Sequence, residues 1–124
     1  MKKPSLSALR KKLDAVFSEW IRKRDAHGKD YAHCCTCNRA YPWKSMDCGH
    51  FIRRQHTAVR WTPTNAHAQC KRCNLQGGEM VNYYQFMLRQ YGQDVIDELQ
   101  RRKHQAPRFR RADYKEMIRF HSQP

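Results

Sequence analysis

Cys34-Cys35-Thr36-Cys37 and Cys70-Lys71-Arg72-Cys73-Asn74 are the two stretches whose reading decides the fold. Each contains a C-x-x-C turn, and the two-residue gap lets both thiolates of a pair close on one ion. Together Cys34, Cys37, Cys70 and Cys73 supply the tetrahedral sulfur set of a structural Zn²⁺. Between the knuckles lie Asp47-Cys48-Gly49-His50 and Thr64-Asn65-Ala66-His67. With Asn74 they offer a His, an Asn and a further metal-capable side chain, so the staple is expected to frame an active site. Cys35 and Cys48 are spare under this assignment, and the rival assignment puts Cys48 in place of Cys34 or Cys37.

The rest of the composition agrees with a metal-stapled, nucleic-acid-binding chain. A length of 124 residues suits one domain, small enough for a bound metal to matter to its stability. The 25 Lys and Arg against 11 Asp and Glu leave a formal charge of +14, which points to a polyanionic partner, nucleic acid first. An anionic membrane fits less well, because the basic residues spread over the whole chain instead of gathering on one helix face. With no apolar signal region and no apolar run able to cross a bilayer, a cytoplasmic location is expected. In a reducing compartment, two cysteine clusters read as metal ligands; a secreted disulfide framework is the alternative.

Outside the knuckles the chain divides into four stretches within a single domain spanning 1–124. Leu6, Leu9, Leu13, Val16, Phe17, Trp20 and Ile21 recur at three- and four-residue steps, so 5–27 reads as a basic amphipathic helix capped by Ser5 and ended by His27-Gly28. Its apolar stripe suits packing onto the domain, a dimer interface or, with its basic face, DNA contact. From 31 to 78 the usage turns to Cys, aromatic, Pro and Thr. There Phe51-Ile52 and Val59-Arg60-Trp61-Thr62 read as short strands joined through Arg53-Arg54-Gln55-His56, with a short helix expected from Asn65 onward. Residues 79–103 carry two helices separated by Gly92, and 104–124 form a basic tail with one short helix near Tyr114 to Phe120. The fold class is therefore α+β.

Cutting a phosphodiester needs a base for water, a cation for the developing charge and cationic groups to hold the backbone. His50 is the candidate base, since imidazole accepts a proton near neutral pH. Asn74, directly after a thiolate, is a candidate ligand for a second, hard cation such as Mg²⁺ or Mn²⁺; a helix N-cap is its other reading. Asp47 is the only carboxylate between Asp30 and Glu79 and the natural partner for that cation. Asn65, after Pro63-Thr64, is expected to buttress the hairpin and hold the base loop by side-chain hydrogen bonds, or to form an Asx turn, two roles that are hard to separate. His67 has three readings: ligation, phosphate contact or packing. Arg53, Arg54, Arg60, Lys71 and Arg72 surround these groups and are candidate phosphate clamps.

The string Asp47-Cys48-Gly49-His50-Phe51, followed by Arg60-Trp61-Thr62-Pro63-Thr64-Asn65-Ala66-His67-Ala68-Gln69 and the second knuckle, closely resembles the phage lambda NinG (Rap) recombination nuclease family. It is more distantly similar to zinc-stapled HNH nucleases. The resemblance extends over roughly 31–99, including Tyr91-Gly92-Gln93-Asp94-Val95-Ile96-Asp97-Glu98-Leu99. It implies a zinc-stapled ββα-metal (HNH, treble-clef-like) core flanked by helices, in a phage or prophage protein of a bacterial host cell. It also implies divalent-metal-dependent cutting of branched recombination DNA such as Holliday junctions and D-loops, with His50 as base, Asn65 as the HNH-type asparagine and Asn74 as metal ligand. A homodimer is expected, because resolving a junction takes two incisions. One position departs from the HNH pattern: Gly49 stands where an acidic ligand usually precedes the base, leaving Asp47 or His67 to fill that place. Two other functions fit the same residues, namely a non-catalytic zinc-dependent DNA-binding module and an HNH nuclease that nicks or restricts ordinary duplex.

Overall fold

Ser5 accepts a hydrogen bond from the Ala8 N–H at 3.0 Å and starts the first helix, α1 (Leu6–Ala26), in the computed structural model, which describes residues 2–123. The helix ends at His27, whose left-handed φ of 51° turns the chain. Two antiparallel pairs follow: β1 (Tyr31–His33) with β2 (Ala40–Pro42), and β3 (Asp47–His50) with β4 (Ala66–Gln69). A helical turn, α2 (Thr57–Arg60), lies between β3 and β4. After them come α3 (Lys71–Leu75), α4 (Met80–Gln90), α5 (Gln93–Arg102) and α6 (Arg111–His121). The architecture is α+β, and no helix is long and apolar enough to cross a membrane among the described residues.

The expected strand pair is displaced. Gly49 ends neither turn nor loop but pairs with His67 inside the β3–β4 ladder, and His50 pairs with Ala66. Val59 and its neighbours form α2 instead of a strand, with Val59 fully buried. The helix expected from Asn65 is instead β4, and helical structure begins only after Cys70. The reason is burial: all four residues of β4 are covered, so its polar and apolar residues show no two-residue alternation to read.

β3–β4 lies between two apolar clusters. On one side Leu9, Leu13, Phe17 and Ile21 of α1 pack with Trp61, Ala66 and the α6 residues Tyr114 and Ile118. On the other, Phe51, Ile52 and Val59 pack with Tyr83 and Met87 of α4 and Ile96 and Leu99 of α5. The apolar stripe of α1 is thus spent on the core. Polar stitches tie α1 to the hairpin: Asp25 accepts the Ala68 N–H at 2.7 Å, and Arg24 donates to the carbonyls of Pro63 and Ala66, both at 2.8 Å. A third cluster gathers Ala32, Met46 and Ala68 around the paired cysteines.

Candidate metal centre and active-site cleft

The first knuckle follows β1, and the second spans the end of β4 and the start of α3, so the two small sheets deliver one C-x-x-C each to the same point. The sulfurs of Cys34, Cys37, Cys70 and Cys73 all lie within 4.8 Å of one another, and Cys37 Sγ is 4.0 Å from Cys70 Sγ. A ZnS₄ tetrahedron with bonds of about 2.3 Å has edges of about 3.8 Å, so the group can hold a structural metal such as zinc. The knuckle backbone already points at the sulfurs: Cys70 N–H donates to Cys34 Sγ at 3.3 Å and Cys73 N–H to Cys70 Sγ at 3.5 Å. Burial opposes ionisation of Cys34, yet hydrogen bonds led by the Cys70 N–H bring its pKa down to about 6. Burial and neighbouring sulfurs push Cys73 up to about 12. Thiols so close do not all ionise unless a cation joins them. Cys48 does not take part. It packs against the α1 cluster, and burial lifts its thiol to about 12. Cys35 lies in the α4–α5 cluster and is likewise held neutral by burial.

Beside this centre a cleft of about 710 Å³ opens between α1, β3, the loop after β3 and the end of α3. Asp47, His50, Arg53, Arg54 and Asn74 line it. Asn74 Nδ2 donates to Asp47 Oδ2 at 3.0 Å, and Lys71 Nζ approaches Asp47 Oδ1 at 2.7 Å. Asn74 sits within α3 and is no N-cap; that position belongs to Cys70. A half-turn of the Asn74 amide exchanges Nδ2 for Oδ1 and would turn a second oxygen toward the Asp47 carboxylate; oxygen atoms are the ligands that hard cations take.

His50 Nε2 lies 2.8 Å from the Arg60 carbonyl, which can only accept, so Nε2 carries the proton and Nδ1 keeps a lone pair. Burial lowers the ring's pKa and keeps it neutral. Asn65 does not line the cleft. Its Oδ1 accepts the Ile52 N–H at 2.9 Å, and its Nδ2 donates to the Ile52 and Val59 carbonyls, each at 3.0 Å. It closes the 52–59 loop from inside and thereby places the Arg60 carbonyl that orients His50.

His67 departs from the expectation that it completes a metal site. It is 3 % exposed and lies outside the cleft. Tyr83 gives its hydroxyl proton to the Gly49 carbonyl at 2.6 Å and accepts from His67 Nδ1 at 3.0 Å, while His67 Nε2 accepts from Tyr91 at 2.7 Å. Burial drops its pKa to about 3, so the ring is a neutral link between β4 and α4. The Gly49 position is explained by Gln69. A Cβ on Gly49 would stand 2.8 Å from Gln69 Cβ and 2.9 Å from Gln69 Cδ. The space of the missing side chain is filled by Gln69, whose Nε2 donates to Gly78 O at 2.9 Å and Thr36 Oγ1 at 3.1 Å, while its buried Oε1 has no partner.

The sequence reading passed over Asp14. This α1 residue lines the cleft and accepts from Arg54 at 2.8 Å, from Trp61 Nε1 at 2.9 Å and from Arg60, whose guanidinium also lies over the Trp61 ring. Burial raises the carboxyl pKa, but the Arg60 and Trp61 hydrogen bonds outweigh it and hold it below the ordinary range. Its one sequence signal was an acid among Arg10, Lys11 and Lys12. Of the five expected clamps, Arg60 is committed to Asp14, Lys71 to Asp47, and Arg54 partly to Asp14. Arg72 lies exposed beside the cysteines, whose charge raises its pKa. Arg53 is exposed, and its side chain forms no hydrogen bond or ion pair with the described residues.

A family model described as Bacteriophage Lambda NinG protein matches residues 1–123. No curated protein and no solved structure matches the chain.

Proposed function

From the premise that this chain belongs to the bacteriophage lambda NinG family, we propose that it is a structure-specific endonuclease that cuts branched recombination DNA by metal-dependent phosphodiester hydrolysis. The observation that carries the reading is His50: a neutral imidazole whose Nε2–H is tied to the Arg60 carbonyl and whose Nδ1 is free to take a proton, in a cleft that Arg53, Arg54 and the hydrogen-bonded Asp47–Asn74 pair also line. β3, β4 and α3 then form the ββα-metal unit, mounted on the cysteine centre at both knuckles.

In this reading His50 Nδ1 accepts the proton of the attacking water. Asp47 and Asn74 would hold Mg²⁺ or Mn²⁺, which would supply neutralisation of the charge that develops on the phosphodiester. Arg53 and Arg54 hold the phosphodiester backbone, and Asn65 fixes the loop that sets the tautomer of His50. Branched DNA as substrate, cytoplasmic action in a bacterial host and a homodimer making paired cuts rest on the family resemblance and belong to the same proposal.

Synthetic junctions, forks and blunt duplexes incubated with Mg²⁺ or Mn²⁺ test it. Wild type is expected to cut branched substrates in preference to duplex, and His50→Ala to lose about 10²–10⁴-fold in rate while still binding DNA. Binding without cleavage would leave a zinc-dependent DNA-binding module; equal cutting of all substrates would leave a nuclease without branch preference.

A further inference from the structure

A second cavity, of about 390 Å³, lies on the far side of the Asp14–Arg60 ion pair from the cleft. Arg10 of α1, Thr57 and Arg60 of α2, and Arg108 with Phe109 before α6 line it, over a floor of Trp61 and Tyr114. Its composition is three guanidinium groups, of which Arg60 is held by Asp14, the hydroxyls of Thr57 and Tyr114, three aromatic side chains and Pro107, with no carboxylate among the lining residues. The rings brace one another: Phe109 meets Trp61 at 6.0 Å and Tyr114 at 5.7 Å between centroids. The cations are aimed by the same rings. Arg10 Nε donates to Tyr114 Oη at 2.9 Å with its carbon 5.6 Å from that ring's centre, and Arg60 lies 5.0 Å over Trp61. Trp61 and Tyr114 are buried, which leaves the half-buried Phe109 as the ring a ligand can reach. Arg108 is exposed and forms no hydrogen bond or ion pair with the described residues.

Guanidinium groups around an aromatic wall recognise a phosphate joined to a flat, polarisable ring, the chemistry of a nucleotide whose base is unstacked. The volume is at the small end of ligand sites and admits one nucleotide but no duplex. We propose that this pocket takes a single unpaired nucleotide of a DNA strand, its phosphate between Arg10 and Arg108 and its base against Phe109. The inference rests on the nucleic-acid reading above and adds to it a place where unpaired DNA is sensed. Arg60 joins the two sites, since its carbonyl holds His50 and its guanidinium lines the second pocket. The proposal has a strand with its phosphate at His50 continue past α2 into this pocket, where a branch supplies the unpaired nucleotide that a continuous duplex lacks.

The test is fluorescence anisotropy with the zinc-loaded full chain, without added Mg²⁺, on a fork bearing a single-stranded arm and on a blunt duplex of equal length. Arg108→Ala is the variant, and Arg89→Ala, an exposed cation on α4 outside both cavities, is the control for loss of one charge. Wild type and Arg89→Ala are expected to prefer the fork. Arg108→Ala is expected to lose about 5- to 10-fold on the fork and much less on the duplex, and to flatten the salt dependence of fork binding by about one phosphate contact. Photocrosslinking of a 5-iododeoxyuridine arm to the peptide carrying Phe109 is the positive counterpart. Equal fork affinity for Arg108→Ala and Arg89→Ala, or crosslinks only elsewhere, would overturn the proposal. Added Mg²⁺ in a parallel cleavage series separates the two readings: a fork-specific Arg108→Ala defect without any cleavage supports the pocket while the nuclease reading falls.

Discussion

Gly49 shows how a single residue in the β3–β4 ladder acquires its meaning from a neighbour across it. An L side chain at this position collides with Gln69, first with Oε1 and then with Cβ and Cδ. A rotamer change moves Oε1 and Cδ away, but Gln69 Cβ, fixed by the strand backbone, stays 2.8 Å from the added Cβ. Gly49→Asp, which restores the residue type common at this place in HNH sequences, is therefore expected to destabilise the protein by about 1–3 kcal/mol in urea unfolding. Combined with Gln69→Ala it should recover part of that loss, a non-additivity that an independent site would not give. Gln69→Ala alone also removes the link between Thr36 of the first knuckle and Gly78 at the rim of the cleft. The departure from the HNH pattern was legible in the sequence. Its cause was not, because Gln69 is twenty residues away in the chain and adjacent only through the strand register. His67 shows the converse: its spacing in the sequence suggested a ligand, whereas Tyr83 of α4 and Tyr91 at the end of that helix take both of its nitrogens.

The element that joins structure to chemistry is the second knuckle with α3. Cys70 is at once a member of the sulfur group and the N-cap of α3, its Sγ accepting from Cys73 N–H, and Asn74 is the next residue of that helix. Metal at the sulfurs therefore fixes the helix that carries Asn74 toward Asp47. Metal analysis of the purified protein should find about one tightly held zinc per chain. Cys73→Ser is expected to lose that zinc and most folded structure by circular dichroism, whereas Cys48→Ser retains both, since Cys48 only packs against α1. This element was the most legible part of the chain, because two C-x-x-C turns impose their geometry locally. β3 and β4 were the least legible. β4, covered on both faces, carries no alternation, β3 is only four residues long, and α2, a single turn, is too short to show a helical period.

Across the whole molecule, α1 and α6 close over one face of β3–β4, and this packing sets the wall of both cavities. Asp14 reaches the cleft only because Leu13 and Phe17, beside it on α1, are buried against the hairpin and α6. Leu13→Ala is expected to cost about 2–5 kcal/mol in denaturant unfolding, whereas Leu75→Ala, at an 82 % exposed position, should change stability by less than about 0.5 kcal/mol. The sequence by itself determined the four-cysteine centre, the helices before and after it, the basic character of the surface and the identity of His50, Asp47 and Asn74 as candidates. Each of these is written in local spacing or in composition, which a chain carries before it folds. Only the tertiary structure decided that Asp14 joins the cleft, that His67 and Asn65 serve as internal supports, that Gln69 fills the place beside Gly49 and that Arg10, Arg60 and Arg108 line one pocket with Phe109. Those pairings bring together residues far apart in sequence, and no local period records which side chains long-range packing will make neighbours.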